Sequence, residues 1–245
     1  MDPRILLARN NLAKVRSIYI ALSIKGGVGK TTVSTLLSLY FALNKVRTGL
    51  MDLDFVNSST HILLGVNPLV IKYEEEKGII PYMLMENLYY FTITPFTSDK
   101  PIALRGESVR NALREVLSIV KWDKVEFLFI DTPPGVSDEQ LELIYNLRGL
   151  GNVKPLVIST PSNMSWNSVV KLLSLLRGAG YEDIYLVENM GSGVLEDKAR
   201  QLGVKYAGFL PYLDKLEDKV RYIAVNGVPI DLRVYLDKVA MAILN

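Results

Sequence analysis

"KGGVGKTT", Lys25 to Thr32, is the stretch that decides how this chain folds. It follows "SIYIALSI" (Ser17 to Ile24), an apolar β-branched run, and precedes "TTVSTLLSLYFALNK", whose apolar residues keep helical spacing through Lys45. Strand, glycine-rich loop and helix in that order make a phosphate cradle. The segment Gly26, Gly27, Val28 and Gly29 lets successive backbone N–H groups turn inward on phosphate oxygens, and the positive end of the following helix adds to the attraction. Lys30 is expected to reach the β- and γ-phosphates, the Thr31 hydroxyl to ligate Mg²⁺, and Thr32 to lie near the α-phosphate.

The loop departs from the general G-x-x-x-x-G-K-[ST] pattern in one respect. Ile24 stands where the first glycine belongs, and Lys25 follows at once. Because Lys30 already serves phosphates bound to its own chain, a lysine five residues earlier points to phosphates held by a neighbouring subunit. It would act as an arginine finger does in trans, an effect worth roughly 10³-fold or more in rate. The second lysine therefore predicts a homodimer across the bound nucleotide.

Working outward, "TGLMDLD" (Thr48 to Asp54), "FLFID" (Phe127 to Asp131), "PLVIST" (Pro155 to Thr160) and "IYLVEN" (Ile184 to Asn189) are short apolar runs that end in polar residues. Such runs are strands of a parallel sheet covered on both faces. Helical spacing falls between them, at Glu107 to Val120, Asp138 to Asn146, Ser165 to Arg177 and Glu196 to Leu202, with a C-terminal pair at Lys215 to Val225 and Leu232 to Leu244. The expected fold is α/β: a doubly wound, mainly parallel sheet with helices on both faces, binding its ligand at the carboxyl ends of the strands. Residues 1–245 are expected to form one domain, with 1–16 as an N-terminal helical extension. Element boundaries are least defined from Gly65 to Pro101.

Polar residues gather at those strand ends. Asp52 and Asp54 are two apart, and on an extended strand they would share a face toward the nucleotide. Transfer of a phosphoryl group to water needs in-line positioning and charge neutralisation, for which one carboxylate orients the water and another holds the Mg²⁺ hydration shell. Asp131 is placed to bind Mg²⁺ through water, and the stiff Pro133–Pro134–Gly135 turn lets the Gly135 amide sense the γ-phosphate. Asn189 ends its own strand with an amide that can both donate to and accept from a purine.

Composition narrows the field. With 28 basic and 26 acidic residues the net charge is only +2, so no polyanionic partner is implied. There is no cysteine, which excludes disulfides, thiolate catalysis and thiolate-ligated iron–sulfur clusters held by this chain alone. No apolar run approaches the roughly 18 residues that span a bilayer. A cytoplasmic protein without stable membrane insertion is expected.

The loop resembles the deviant Walker A motif, XKGGVGK[ST], of the MinD/ParA/Mrp superfamily of P-loop ATPases. "DTPPGVSDEQL" resembles the DxPPGTGDxQL segment of its Mrp/ApbC branch, and "GLMDLDFVNSSTHILLGV" resembles that branch's GLLDADIYGPSIPRMLGL. "LVENM", "FLPYLD" and "NGVPI" follow in the same order, so the resemblance runs from Ile18 to about Ile230. It implies Mg-dependent binding and hydrolysis of ATP, slow without a partner, by a homodimer that switches with its nucleotide. It also implies roles: Lys25 in trans, Asp54 positioning water, Asp52 on the metal side, Asn189 reading adenine, and Pro211 with its neighbours closing over the base. GTP is disfavoured, because "NMGS" stands where a guanine-reading [NT]KxD would begin.

The resemblance breaks at one place. Cluster-carrying Mrp/ApbC proteins place a CxxC shortly after VENM, whereas this chain has "VENMGSGVLEDKAR" (Val187 to Arg200), so no iron–sulfur cluster ligated by this chain is expected. The alternatives are a ParA-like DNA-associated partition ATPase, whose basic patch would be Arg4, Arg9, Lys14 and Arg16, or a non-catalytic nucleotide-dependent adaptor for a protein client. The C-terminal "LRVYLDKVAMAILN" has the apolar stripe of a MinD-like membrane helix, but Asp237 offsets Arg233 and Lys238, and docking onto the sheet is the stronger expectation.

Overall fold

Ser17–Leu22 form β1, every residue of it buried. A computed structural model of the chain describes residues 2–97 and 106–244; residues 98–101 of the ill-defined stretch ending at Pro101 lie outside it, as do Met1 and Asn245. Helix α1 (Pro3–Leu12) precedes β1, and α2 (Lys30–Leu43), β2 (Thr48–Asp52) and α3 (Thr60–Leu64) follow it. A small ribbon of β3 (Glu74–Glu75) and β4 (Ile79–Ile80) leads into a hairpin, β5 (Tyr82–Met85) and β6 (Leu88–Phe91), and then into the single turn α4 (Thr94–Thr97). The rest alternates: α5 (Glu107–Ile119), β7 (Phe127–Asp131), α6 (Asp138–Leu147), β8 (Val153–Ser159), α7 (Asn163–Gly178), β9 (Tyr185–Asn189), α8 (Glu196–Gln201) and β10 (Lys205–Leu210). Helices α9 (Leu216–Asn226) and α10 (Ile230–Leu244) close the described chain.

The sheet order is β10-β9-β8-β1-β7-β2-β6-β5, parallel throughout except for β5 against β6. The chain leaves β1 toward β2, returns through β7, and then crosses to β8 on the other side of β1. That reversal opens a crevice at the carboxyl end of β1, where the glycine loop emerges.

Alternate residues of β1 feed two cores. Ile18, Ile20 and Leu22 join α1, α5, α6 and α7, while Tyr19 and Ala21 join α2, α3, α9 and α10. Tyr19 stacks on Phe129 with ring centroids 5.1 Å apart. Truncating a ring of this kind, as in Phe129→Ala, costs about 3–5 kcal/mol. Trp122 is buried across Gly49, where an added Cβ would lie 2.6 Å from the indole, so this position of β2 has room only for hydrogen.

Several boundaries differ from those read in the sequence. β2 stops at Asp52 because the Asp52 carboxylate accepts the Asp54 N–H at 3.0 Å and turns the chain off the sheet. Asp54 thus lies in a loop, and period-two alternation does not govern where it points. α7 begins at Asn163, one turn's edge before Ser165, because the Ser162 hydroxyl caps it through the Ser165 N–H. β10 and the β5–β6 hairpin are strands the sequence did not announce. β10 carries a lysine, a glycine and a register shift between Tyr206 and Gly208, all tolerable only at a sheet edge.

The N-terminal helix is tied to the rest. Ala8 and Leu12 enter the main core, and its basic residues are occupied: Arg4 with Asp2, Arg9 with the carbonyls of Asn146 and Arg148, and Lys14 with Asp123. Arg16 lies over the Phe127 ring. α10 buries Leu232, Leu236, Val239, Ala240 and Ile243, docking that stripe against the protein. Among the described residues no helix is long and apolar enough to cross a membrane.

Candidate nucleotide site

The loop between β1 and α2 ends at Gly29, which caps the helix with φ 89° and offers no side-chain bond to its first amides. No acidic residue lies in that first turn. Amides without a side-chain cap at a helix N-terminus suit an anion. Gly26 and Gly27 are exposed, Val28 is buried beneath them, and Lys25 is half-exposed beside them.

Lys30 is buried, and its Nζ donates to the Ser23 hydroxyl at 3.1 Å. Burial pulls its pKa down, opposed by the charges of Asp131 and Asp54. The Thr31 hydroxyl donates to Asp131 Oδ2 at 2.7 Å, and the Ser34 hydroxyl contacts Asp131 Oδ1 at 3.1 Å. Asp131 is 1% exposed, and burial, reinforced by the nearby Asp52 charge, pushes its pKa up to about 7. Thr31 and Asp131 fit Mg²⁺, which keeps most of its waters and takes one or two protein oxygens. Among the described residues no cluster of three or more His, Cys, Asp or Glu could cage a metal, so the remaining ligands would have to come from phosphate and water.

Asp52 ends β2 level with Asp131 on β7. Its carboxylate is engaged by its own loop, accepting from Ser58 Oγ at 2.8 Å, Thr60 Oγ1 at 2.6 Å and the Asp54 N–H. Burial raises its pKa as well. Asp54, half-buried, accepts from the Asn57 N–H at 2.9 Å and lies near enough to Lys30 for its charge to be felt there. This first loop is therefore organised by Asp52 and presents Asp54.

The second loop, Thr132 to Val136, is held by Gln140, which the sequence reading did not single out. Its amide nitrogen contacts the Pro133 carbonyl at 2.7 Å, Thr132 Oγ1 at 3.0 Å and the Ser23 carbonyl at 3.4 Å. Gln140 thus staples the loop to the end of β1. Gly135 has φ 85°, a Cβ there would lie 3.8 Å from the Ile24 carbonyl, and one at Gly26 would lie 3.7 Å from Pro134, so this loop runs beside the glycine loop. Ser34 was missed too; its spacing of three from Thr31 on one helix face was the available signal.

Beside the cradle lies a cavity of about 330 Å³ bordered by Gly29, Thr32, Asn189, Met190, Pro211 and Tyr212. Asn189 Nδ2 donates to the Val28 carbonyl at 2.9 Å, and a side chain at Gly29 would collide with that amide. Asn189 and Pro211 therefore stand on the wall of a pocket that opens onto the phosphate loop. After Met190 the chain continues as Gly191–Val194, with no sulfur ligand.

A family model described as ParA, the NUBPL iron-transfer P-loop NTPases, matches residues 14–235. A cytosolic Fe-S cluster assembly factor Nubp2 homolog from Drosophila erecta is 34% identical over 187 residues, spanning 75% of this chain and 72% of that protein. An iron-sulfur cluster carrier protein from Methanocaldococcus jannaschii is 30% identical over 244 residues, spanning 91% of this chain and 81% of its own. Among solved structures, a nucleotide-binding protein from Archaeoglobus fulgidus in complex with ADP superposes with a TM-score of 0.76 at 23% identity, covering 94% of this chain and 96% of that one. The cell division ATPase MinD of Pyrococcus furiosus gives 0.64 at 18% identity, covering 94% and 99%. At such identities these two likenesses bear on the fold.

Proposed function

The chain belongs to the ParA family of NUBPL-type iron-transfer P-loop NTPases, and from that premise we propose that it is a Mg-dependent ATPase working as a nucleotide-switched homodimer. The observation that carries this is the joining of Lys30, Thr31 and Asp131 at one helix N-terminus, with a base-sized cavity beside them. Lys30 and the loop amides hold the β- and γ-phosphates, Asn189 reads the adenine edge, and Asp54 orients the attacking water in line. Thr31 and Asp131 would hold Mg²⁺, which when bound supplies charge neutralisation between the phosphates. Lys25, half-exposed at the loop, adds its charge to the partner's nucleotide.

The Gly135 amide reports the γ-phosphate, and Gln140 passes its loss to α6. Such a switch serves a protein client better than rapid turnover, so slow hydrolysis that a client accelerates is expected. Two relatives are named as Fe-S cluster proteins, but this chain has no thiolate with which to hold a cluster itself. Its role in such work would be that of an energy-dependent, cytoplasmic partner to a protein that brings its own ligands. The DNA-partition alternative is not favoured, because Arg4, Arg9, Lys14 and Arg16 are engaged within the protein.

The test is ADP and phosphate release from Mg·ATP by purified wild type and Lys30→Ala. Wild-type turnover that Lys30→Ala abolishes supports the reading; wild type that neither binds nor turns over ATP would sink it.

A further inference from the structure

Glu188 is a buried acid that none of the chemistry above uses. Its side chain lies at the end of β9 and is 0% exposed, yet both oxygens are fully engaged. Oε1 accepts the N–H groups of Ser192 at 3.0 Å and Gly193 at 3.1 Å; Oε2 accepts the Leu195 N–H at 2.9 Å and the Tyr206 hydroxyl at 3.0 Å. A carboxylate taken out of water without such donors is strongly destabilising, so these four bonds are the condition for its being there. They also add a side-chain tie between the β9–α8 loop and β10, where the β9–β10 ladder has run out at the pair Asn189 and Leu210.

Three of the donors belong to the loop between β9 and α8, which hangs from this one side chain. The fourth belongs to β10. Gly191 strengthens the tie: its N–H donates to the Leu210 carbonyl at 3.1 Å, and a Cβ there would collide with the Glu188 side chain. The loop therefore folds directly over the carboxylate and onto the end of β10. Alternation along β9 sends Glu188 and Asn189 to opposite faces, so Glu188 acts from behind the strand while Asn189 faces the cavity.

Both walls of that cavity are anchored in this way. Asn189 and Met190, the latter with φ 55°, connect Glu188 along the chain to the loop its carboxylate holds. Pro211 begins where β10 ends, five residues beyond Tyr206. We propose that Glu188 is the positioning residue for purine recognition: by fixing the β9–α8 loop against β10 just beyond the last ladder pair, Asn189 with Leu210, it keeps Asn189 and Pro211 aligned to accept adenine. The proposal rests on the reading that this cavity takes the base of ATP.

The test compares wild type, Glu188→Gln and Tyr206→Phe in equilibrium titrations with Mg·ATP, Mg·GTP and inorganic tripolyphosphate with Mg²⁺. Glu188→Gln keeps the shape but removes the charge and turns an NH₂ toward backbone donors. ATP affinity should fall about tenfold, the preference for ATP over GTP should narrow, and tripolyphosphate affinity should change by less than about twofold. Tyr206→Phe removes one donor and leaves the loop amides in place, so it should move ATP affinity the same way by about threefold. If Glu188→Gln does not fold, Tyr206→Phe decides alone. Equal losses for ATP and tripolyphosphate, or unchanged ATP binding, would overturn the proposal while leaving the nucleotide reading intact; a wild type that binds neither ligand would overturn both.

Discussion

The two ends of the proposed nucleotide site bury their acids in opposite ways. At the phosphate end Asp131 receives two hydroxyls, lies beside Asp52, and is pushed up to about 7, while the Lys30 ammonium is pulled down by the same burial. At the base end Glu188 is just as buried but has three backbone amides and a phenol around it. One end is short of charge compensation until a ligand arrives; the other is compensated by the protein itself. The phosphate end should therefore respond to ligand, metal and pH, whereas the base end should behave as a preformed wall.

Breaking the phosphate end should have the largest effect. Lys30→Ala is expected to lower ATP turnover by about 10³-fold or more, and Lys25→Ala to lower it by at least about 10²-fold without unfolding the protein, read as initial rates of phosphate release. Loss in the first variant with full activity in the second would remove Lys25 from the mechanism. Gly29→Ala touches both ends at once, since its new methyl meets the Asn189 amide in a left-handed backbone conformation. A roughly tenfold or greater loss of ATP affinity is expected, measured by titration, and near-wild-type affinity would show that the contact yields easily.

The pH dependence sharpens the contrast. A carboxyl whose folded pKa is raised from 3.8 to about 7 gives the folded state more bound protons than the unfolded chain across that interval. Its contribution to stability is full below pH about 4 and is lost as the pH rises to about 7. Nucleotide-free Asp131→Asn should therefore gain in melting temperature relative to wild type as the pH rises from 5 to 8, by several degrees across that range. Metal binding needs the ionised carboxylate, so wild-type affinity for Mg·ATP should strengthen over the same interval. A stability difference that does not change with pH would contradict the buried-charge account. Ser34→Ala, which removes one neutral contact to Asp131, should do least, raising the Mg²⁺ needed for half-maximal turnover by about two- to threefold.

How much of this was legible in the sequence follows the reach of each interaction. The glycine loop was legible from the spacing of its own glycines and lysines, and β7 with Asp131 and β9 with Asn189 because each is a short apolar run with its polar residue at the end. The doubly wound order followed from the alternation of such runs. Ser34 and Gln140 were not singled out, because Asp131 and Ser23, the contacts that tie them into the site, lie 97 and 117 residues away; the helical spacing of Ser34 from Thr31 was the one local sign of the first. Glu188 was hidden inside "LVENM", where an acid amid a strand gives no sign that a later loop will fold over it. Asp54 shows the limit of periodicity: two residues past Asp52 is a shared face only while the strand continues, and here the Asp52 carboxylate itself ends it. β10 was overlooked because an edge strand with a glycine lacks the unbroken apolar run of its central neighbours.

In the proposed mechanism ATP, and not ADP, closes two copies of this chain on one another. The most direct measurement is the mass of the purified protein by light scattering with no nucleotide, with Mg·ADP, and with Mg²⁺ plus a non-hydrolysable ATP analogue, for wild type and Lys25→Ala. The expected mass doubles for wild type only with the analogue, and Lys25→Ala weakens that doubling. A wild-type mass that stays the same in all three conditions would contradict it.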